Sequence, residues 1–288
     1  MSPITTTLWS AYLQTTSHLQ LPFSIIEHTT VNERLEINQN QGLDAGKIPG
    51  MRYLVIGNQG HRAVAGQNNF ALTVPVDHSA DHASCYGPIP FVLRAVNEDL
   101  TPDEKAKYAL RKPVTIGERN YYAYYAKRLD LSNTKVELKK TIKENGNSNT
   151  SPYVPTQANL YPVWPDVPVT GAVSTSGEYL SASAILNVNF TAKDVAELIN
   201  VAKILYNDEA YAVVSEFGFC TGVDKTLSIQ TPAGTTNMNE VVACQIATFV
   251  TGHYEMVYNN QGFDFQVELG AVQPLLGAEQ ITTATVIG

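Results

Sequence analysis

Asn237-Met238-Asn239-Glu240-Val241-Val242-Ala243-Cys244-Gln245-Ile246-Ala247-Thr248-Phe249-Val250-Thr251-Gly252-His253-Tyr254 is the stretch on which the fold class turns. Val242, Ile246, Phe249, Val250 and His253 recur at spacings of four, three, one and three, as one apolar helix face would. The reading is an amphipathic helix over 238–254. Upstream, Thr191-Ala192-Lys193-Asp194 is a capping pattern, and Val195, Leu198, Ile199, Ala202 and Leu205 then line one face as far as Tyr206. Thr101-Pro102-Asp103-Glu104 opens a third helix, with Pro102 suited to the first helical position, and Pro113 stops it beyond Arg111. Helices at 101–111, 191–206 and 238–254 are therefore expected.

Between them lie strand signals. Met51 to Gly57 is a buried apolar run closed by the turn cluster Gly57-Asn58-Gln59-Gly60. Residues 86–100 read as a proline-punctuated strand carrying Ile89, Phe91, Leu93 and Ala95 on one face. Tyr121-Tyr122-Ala123-Tyr124-Tyr125 is an aromatic strand, and 185–190, 210–219 and 263–269 alternate. The expected fold is α+β, a mixed or antiparallel sheet packed with about three helices, with a long central loop and extended termini. Its parts are an N-terminal arm and edge hairpin (1–50, with one or two helical turns around Leu8 to Leu13), a main domain (51–144 and 178–276), a proline-rich loop or linker (145–177) and an extended tail (277–288).

Of 288 residues only 16% are charged, 44% are hydrophobic and 15 are tyrosine. Soluble domains average about 25% charged residues, so much of this surface is expected to meet other protein. The net charge of −8 argues against sequence-specific nucleic-acid binding through counterion release. Cys85, Cys220 and Cys244 stand apart from one another, which fits reduced buried thiols better than disulfides or a zinc site. No basic n-region precedes an apolar core at the start, and no apolar run is long enough for a membrane span. Synthesis in the cytoplasm is the expectation.

Candidate chemistry is sparse. Asp77-His78 and Asp81-His82 would put two imidazoles at i, i+4 on a helix, the beginning of a metal shell; a capped turn with locally bonded histidines is favoured over it. Gly57-Asn58-Gln59-Gly60-His61 is half of a phosphate-cradling loop, lacking the third glycine and the lysine, and a tight turn is favoured. Ser215-Glu216 and Cys220 adjoin a glycine-rich turn with no base indicated, and Cys244 reads as core. Glu98-Asp99 and Asp208-Glu209 fall at element ends, where acidic residues cap helices. No catalytic residue, cofactor or metal ligand is assigned. Tyr121, Tyr122, Tyr124 and Tyr125 are assigned to a subunit interface, because adjacent strand residues face opposite ways and one chain hardly covers both. Trp164, in the proline-rich loop, is the second interface candidate. Lys135 to Lys143 reads as a solvated basic face.

Three segments carry a resemblance. They are Val76 to Arg94 with Asp99-Leu100-Thr101-Pro102 and Tyr108-Ala109-Leu110-Arg111; Tyr124 to Leu131; and Val214 to Lys225 with Val241 to Ile246 and Gly270 to Leu275. Together they resemble virion structural proteins of tailed bacteriophages. The resemblance implies a subunit of the virion, assembled in the host cytoplasm and joining head and tail parts in a multi-subunit neck or collar ring. The implied partners are copies of itself and portal, connector or tail proteins. A baseplate station and a trimeric host-glycan-binding protein using Tyr121–Tyr125 are alternatives, and a metal-dependent hydrolase on His78 and His82 ranks last.

Overall fold

The structure is a computed structural model that describes residues 3–66, 71–144, 147–162, 177–231, 234–256 and 262–274. In chain order the elements are β1 (Ile4–Thr6), α1 (Leu8–His18), α2 (Val31–Leu35), β2 (Gly50–Gly57), β3 (His61–Ala65), β4 (Ala71–Pro75), β5 (Pro88–Ile89), β6 (Val92–Ala95), α3 (Pro102–Lys105), β7 (Tyr108–Ile116) and β8 (Arg119–Arg128). They continue with β9 (Glu137–Glu144), β10 (Asn147–Pro152), α4 (Gln157–Leu160), β11 (Gly177–Phe190), α5 (Ala192–Tyr206), β12 (Val213–Thr231), β13 (Gly234–Met256) and β14 (Phe263–Pro274).

The α+β expectation is corrected: the fold is mostly β, 50% strand against 19% helix, in three sheets. The eight-stranded sheet runs β1-β13-β12-β2-β8-β6, with β5 also on β2 and β7 also on β8. A second sheet runs β10-β9-β11-β14, and β3 pairs β4 alone. The pairings given for these strands are antiparallel. The chain divides into two compact units, 1–130 with 189–263 and 131–188 with 264–288. The division passes through β11 rather than through 145–177.

The helix expected at 238–254 is strand β13. Every residue from Glu240 to Thr251 is buried. A strand covered on both faces loses its period of two, and its apolar residues then match a helical spacing by density alone. The β-branched content (Val241, Val242, Ile246, Thr248, Val250, Thr251) is the sequence signal that favours a strand. The helix expected at 101–111 is one turn, α3, with its capping box intact: the Thr101 amide donates to Glu104 Oε2 at 3.0 Å. The chain then extends as β7, which pairs only β8 among the described strands and so tolerates Pro113. The third expected helix forms. Thr191 Oγ1 accepts the Asp194 amide at 3.2 Å, and Asn207 closes the helix in the left-handed region at φ 58.

Residues 21–45 form no hairpin. Thr30 and Glu33 close a capping box that starts α2. The central stretch is not one loop either, since β10 pairs β9 from Asn147↔Glu144 to Pro152↔Lys139. Trp164 and the tail 277–288 lie outside the described residues.

The N-terminal segment covers the outer edge of β13. β1 pairs it at Thr248–Val250, Thr7 Oγ1 donates to the Ile246 carbonyl at 2.7 Å, and the Thr7 amide to Ala247 at 3.0 Å. Farther along, where Ala243 bulges at φ 55, buried Asn32 replaces a strand. Its Nδ2 donates to the Val241 carbonyl at 3.0 Å and its Oδ1 accepts the Cys244 amide at 2.9 Å. An edge that would otherwise bury unpaired amides is thus satisfied. Val31, Tyr53, Val55, Ala109, Cys220, Val241, Ile246 and Phe249 share one core cluster over these strands.

Phe249 is 1% exposed at the middle of that core. Phe249→Ala is expected to lower stability by about 3–5 kcal/mol in urea unfolding; a change below about 1 kcal/mol would contradict burial from both sides of β13.

Candidate functional site

Glu216 sits near the start of β12, beside a register shift in the β12–β13 pairing, with its side chain fully buried. Its Oε1 accepts the Gln59 amide at 3.0 Å and the Gly87 amide at 3.2 Å; its Oε2 accepts the Tyr86 amide at 2.7 Å and lies 3.2 Å from His78 Nε2. Four donors around one carboxylate, from the turn after β2 and from the 76–87 segment, are what a buried charge requires. The neighbouring Ser215 Oγ accepts the Gly60 amide at 3.0 Å and lies 2.8 Å from His61 Nδ1. Gly60 has no room for a side chain, since a Cβ there would run into Glu216 Cγ and the Ser215 carbonyl.

The glycine turn weighed as half of an anion cradle is therefore a tight turn whose Gln59 amide holds the protein's own carboxylate and whose Gly60 amide holds Ser215. The signal that sequence reasoning missed was the setting of Glu216, an acidic residue flanked by Val213, Val214, Phe217 and Phe219 in an apolar strand. An acid in such a run is rarely buried unless partnered.

His78 and His82 are on a turn, not a helix. Their Nδ1 atoms are 3.0 Å apart, and His82 Nδ1 also accepts the Ser79 amide at 3.3 Å. The His78 ring lies between Phe249, parallel at 3.7 Å, and Tyr86, stacked at 4.5 Å. Among the described residues no three His, Cys, Asp or Glu side chains gather as a metal shell. Burial pushes the Cys85 thiol well up, and Glu216 beside it adds to that shift; burial does the same to Cys220, with Cys244 next to it. Such thiols are poor nucleophiles. Burial lowers His61 against the opposing pull of Glu216. Ser215 is fully buried, so its hydroxyl fastens the turn. Glu98 closes a short 3-10 turn, while Asp99 accepts from the Leu100 amide at 2.8 Å and pairs with Lys105 at 2.7 Å. Asp208 caps the turn at Glu209–Tyr211, as the acidic pairs at element ends suggested.

The tyrosine strand is β8, and the chain covers both of its faces. Tyr122 is buried beneath the Arg111 guanidinium, 4.7 Å above its ring, and Tyr124 is buried against Tyr108. Tyr121 and Tyr125, half-buried, pack with Leu93, Ala123 and Val201 under α5. The premise that one chain cannot cover both sides is corrected: β8 lies inside the larger unit, with α5 on one side.

The β12–β13 hairpin extends past the sheet. β2 pairs β12 only from Glu216 to Gly222, whereas β12 and β13 continue to Thr231↔Gly234. Its root is fastened: Tyr53 Oη donates to Asp224 at 2.9 Å, Arg128 donates to the Asn239 carbonyl at 2.8 Å and pairs with Asp224, and Lys225 pairs with Asp44 at 2.9 Å. Glu240, 2% exposed, is also at the root, with Asn38 donating to one oxygen and no partner among the described residues for the other. No helix among the described residues is long and apolar enough to cross a membrane.

Two outcomes follow from these buried carboxylates. Glu216→Ala leaves three amides and His78 without an acceptor, and should cost about 3–5 kcal/mol in urea unfolding; a loss under about 1 kcal/mol would show the carboxylate is dispensable. For Glu240, burial raises the carboxyl from 4.5 to about 7, outweighing Asn38, Arg111 and Arg128. A folded value above the unfolded one makes the protonated form the stabilising one. That contribution is full below the unfolded value, is lost as pH rises through the folded one, and is absent above it. Glu240→Gln should therefore gain on the parent between pH 4.5 and 7, becoming the more stable by about 3 kcal/mol at higher pH. A variant-minus-parent difference that is flat with pH would contradict this.

A family model described as a family of unknown function (DUF7208) matches residues 1–284. Comparison with curated proteins and with solved structures gives no match. By the extent of that match, the chain belongs to the DUF7208 family.

Proposed function

We propose that this chain is a structural subunit of a tailed-phage virion, part of a multi-subunit neck or collar ring that joins head and tail components. The observation that carries the proposal is the uncharged outer stretch of the β12–β13 ribbon, which extends beyond the strand that flanks its base. From Thr226 to Asn239 it holds no charged residue. Among the described strands, none but its own partner pairs with it beyond Gly222. Six residues of strand project roughly 20 Å. Edge strands are ordinarily guarded by lysine, proline or a covering element, because an open edge is a template for another chain. Residues 226–231 and 234–238 show an uncharged, polar edge of the kind that accepts a strand from a neighbour. A two-stranded ribbon is marginal alone, so a neighbouring subunit supplies what it lacks.

Low overall charge and the resemblance of the three segments point the same way. In a ring, the same head-to-tail contact recurs until the rotation closes, and each contact should bury more than about 1,000 Å². With the β8 tyrosines enclosed, the ribbon is the assigned contact surface.

The test supplies a tagged chain during infection, purifies particles and locates the tag by gold labelling. The expected result is label at the neck. A variant with 226–239 replaced by a tight Asn-Gly turn should melt like the parent and be excluded from particles. A parent chain missing from purified particles, or a ribbonless variant incorporated at the parental level, would overturn the proposal.

A further inference from the structure

The larger unit holds an open cavity of about 510 Å³, lined in part by Val92, Leu100, Lys107, Tyr108, Asp194 and Glu197. That volume lies in the range of small-molecule sites, which run roughly 300–1,000 Å³. Four basic side chains (Lys107, Lys127, Arg128, Lys193) and four acidic ones (Glu104, Asp130, Asp194, Glu197) border it, so its walls carry no net charge.

Most of these charges already face one another. Lys127 pairs with Asp194 at 2.9 Å, Lys193 with Glu104, and Arg128 with Asp224. Glu197, 7% exposed, takes Arg94 on one oxygen. Hydrogen-bonding capacity remains on several lining groups, among them Glu197, Tyr108 and Lys107. Glu197 Oε2 is a buried acceptor with no partner among the described residues. The Tyr108 hydroxyl makes no hydrogen bond to a described residue, and neither does the exposed Lys107 ammonium. Burial pushes the Glu197 carboxyl up, against the opposing pull of Arg94 and Lys193. A buried acceptor left unpaired is costly, which makes it a point where a ligand gains.

A charged ligand finds no uncompensated counter-charge here beyond Lys107. A hydroxyl-rich neutral molecule fits each feature: a hydroxyl donates to Glu197, another exchanges a bond with Tyr108, and an oxygen accepts from Lys107. Leu100 and the Tyr108 ring, each with an exposed edge, offer apolar surface to the C–H face of a sugar ring. We infer that this cavity is a binding site for a neutral saccharide of one or two rings, held by Glu197, Tyr108 and Lys107. The site does not depend on ring assembly.

The test is calorimetry and saturation-transfer NMR on the full chain, with glucose, galactose, N-acetylglucosamine and lactose as probes and free arginine and inorganic phosphate as charged controls. At least one sugar should bind saturably and more tightly than either control. Tyr108→Phe and Glu197→Gln, which keep shape, and Lys107→Ala, at the exposed rim, should each weaken binding by about tenfold or more while the melting temperature shows the chain folded. The inference is overturned if no sugar of the four binds, if arginine or phosphate binds more tightly, or if sugar binding survives in Lys107→Ala and in whichever of the other two variants is folded.

Discussion

A single carboxylate organises the larger unit. Glu216 projects from β12 near its N-terminal end, where water cannot reach, and its charge must be met by donors from the chain. The donors come from two segments with no regular hydrogen-bond ladder of their own, the turn after β2 and the 76–87 stretch. Gathering them fixes where β3 leaves β2, forces glycine at position 60, and sets the His78 ring flat against Phe249. The core of β13 and the irregular chain over it are therefore coupled. Changing the acid disturbs both.

That coupling explains how so long a hairpin is anchored. β12 and β13 are nineteen and twenty-three residues long. Their shared inner half is buried between covering segments, with Asn32, Thr7 and β1 satisfying the far edge of β13. Their outer end, 226–231 with 234–239, leaves the sheet without charge and without a third strand among those described. A rigid base with an uncharged end beyond the flanking strand suits a part that completes itself on a neighbour. The virion reading places that neighbour in a ring, and the cavity beside α5 is a separate property of the same unit.

How much of this the sequence disclosed depended on how each segment is covered. α5 was legible because one face packs on β6 while the other meets water, and both of its caps are local signals. The Gly57–Gly60 turn was legible for the same reason. β13 was misread because burial on both faces erases alternation, so density of apolar residues imitated a helix. The segment after Thr101 showed a true capping box but not its length, since β7 is set by pairing with β8 from Tyr108 onward. Tyr122 and Tyr124 gave the right chemistry with the wrong audience. What covers them is Arg111 and Tyr108, on a neighbouring strand. Glu216 was noticed beside its glycine-rich turn but its partners were not, and Glu197 was silent, for a common reason: a buried acid is defined by donors brought from far along the chain, and no local spacing encodes them.

Amide hydrogen exchange at Gln59, Tyr86 and Gly87 tests the central role of Glu216 most directly, because these amides lie in a turn and an irregular segment that ordinarily exchange fast. The account predicts protection close to that of the β12–β13 amides, lost together in Glu216→Ala. Exchange at the rate of open loops in the parent chain would contradict it.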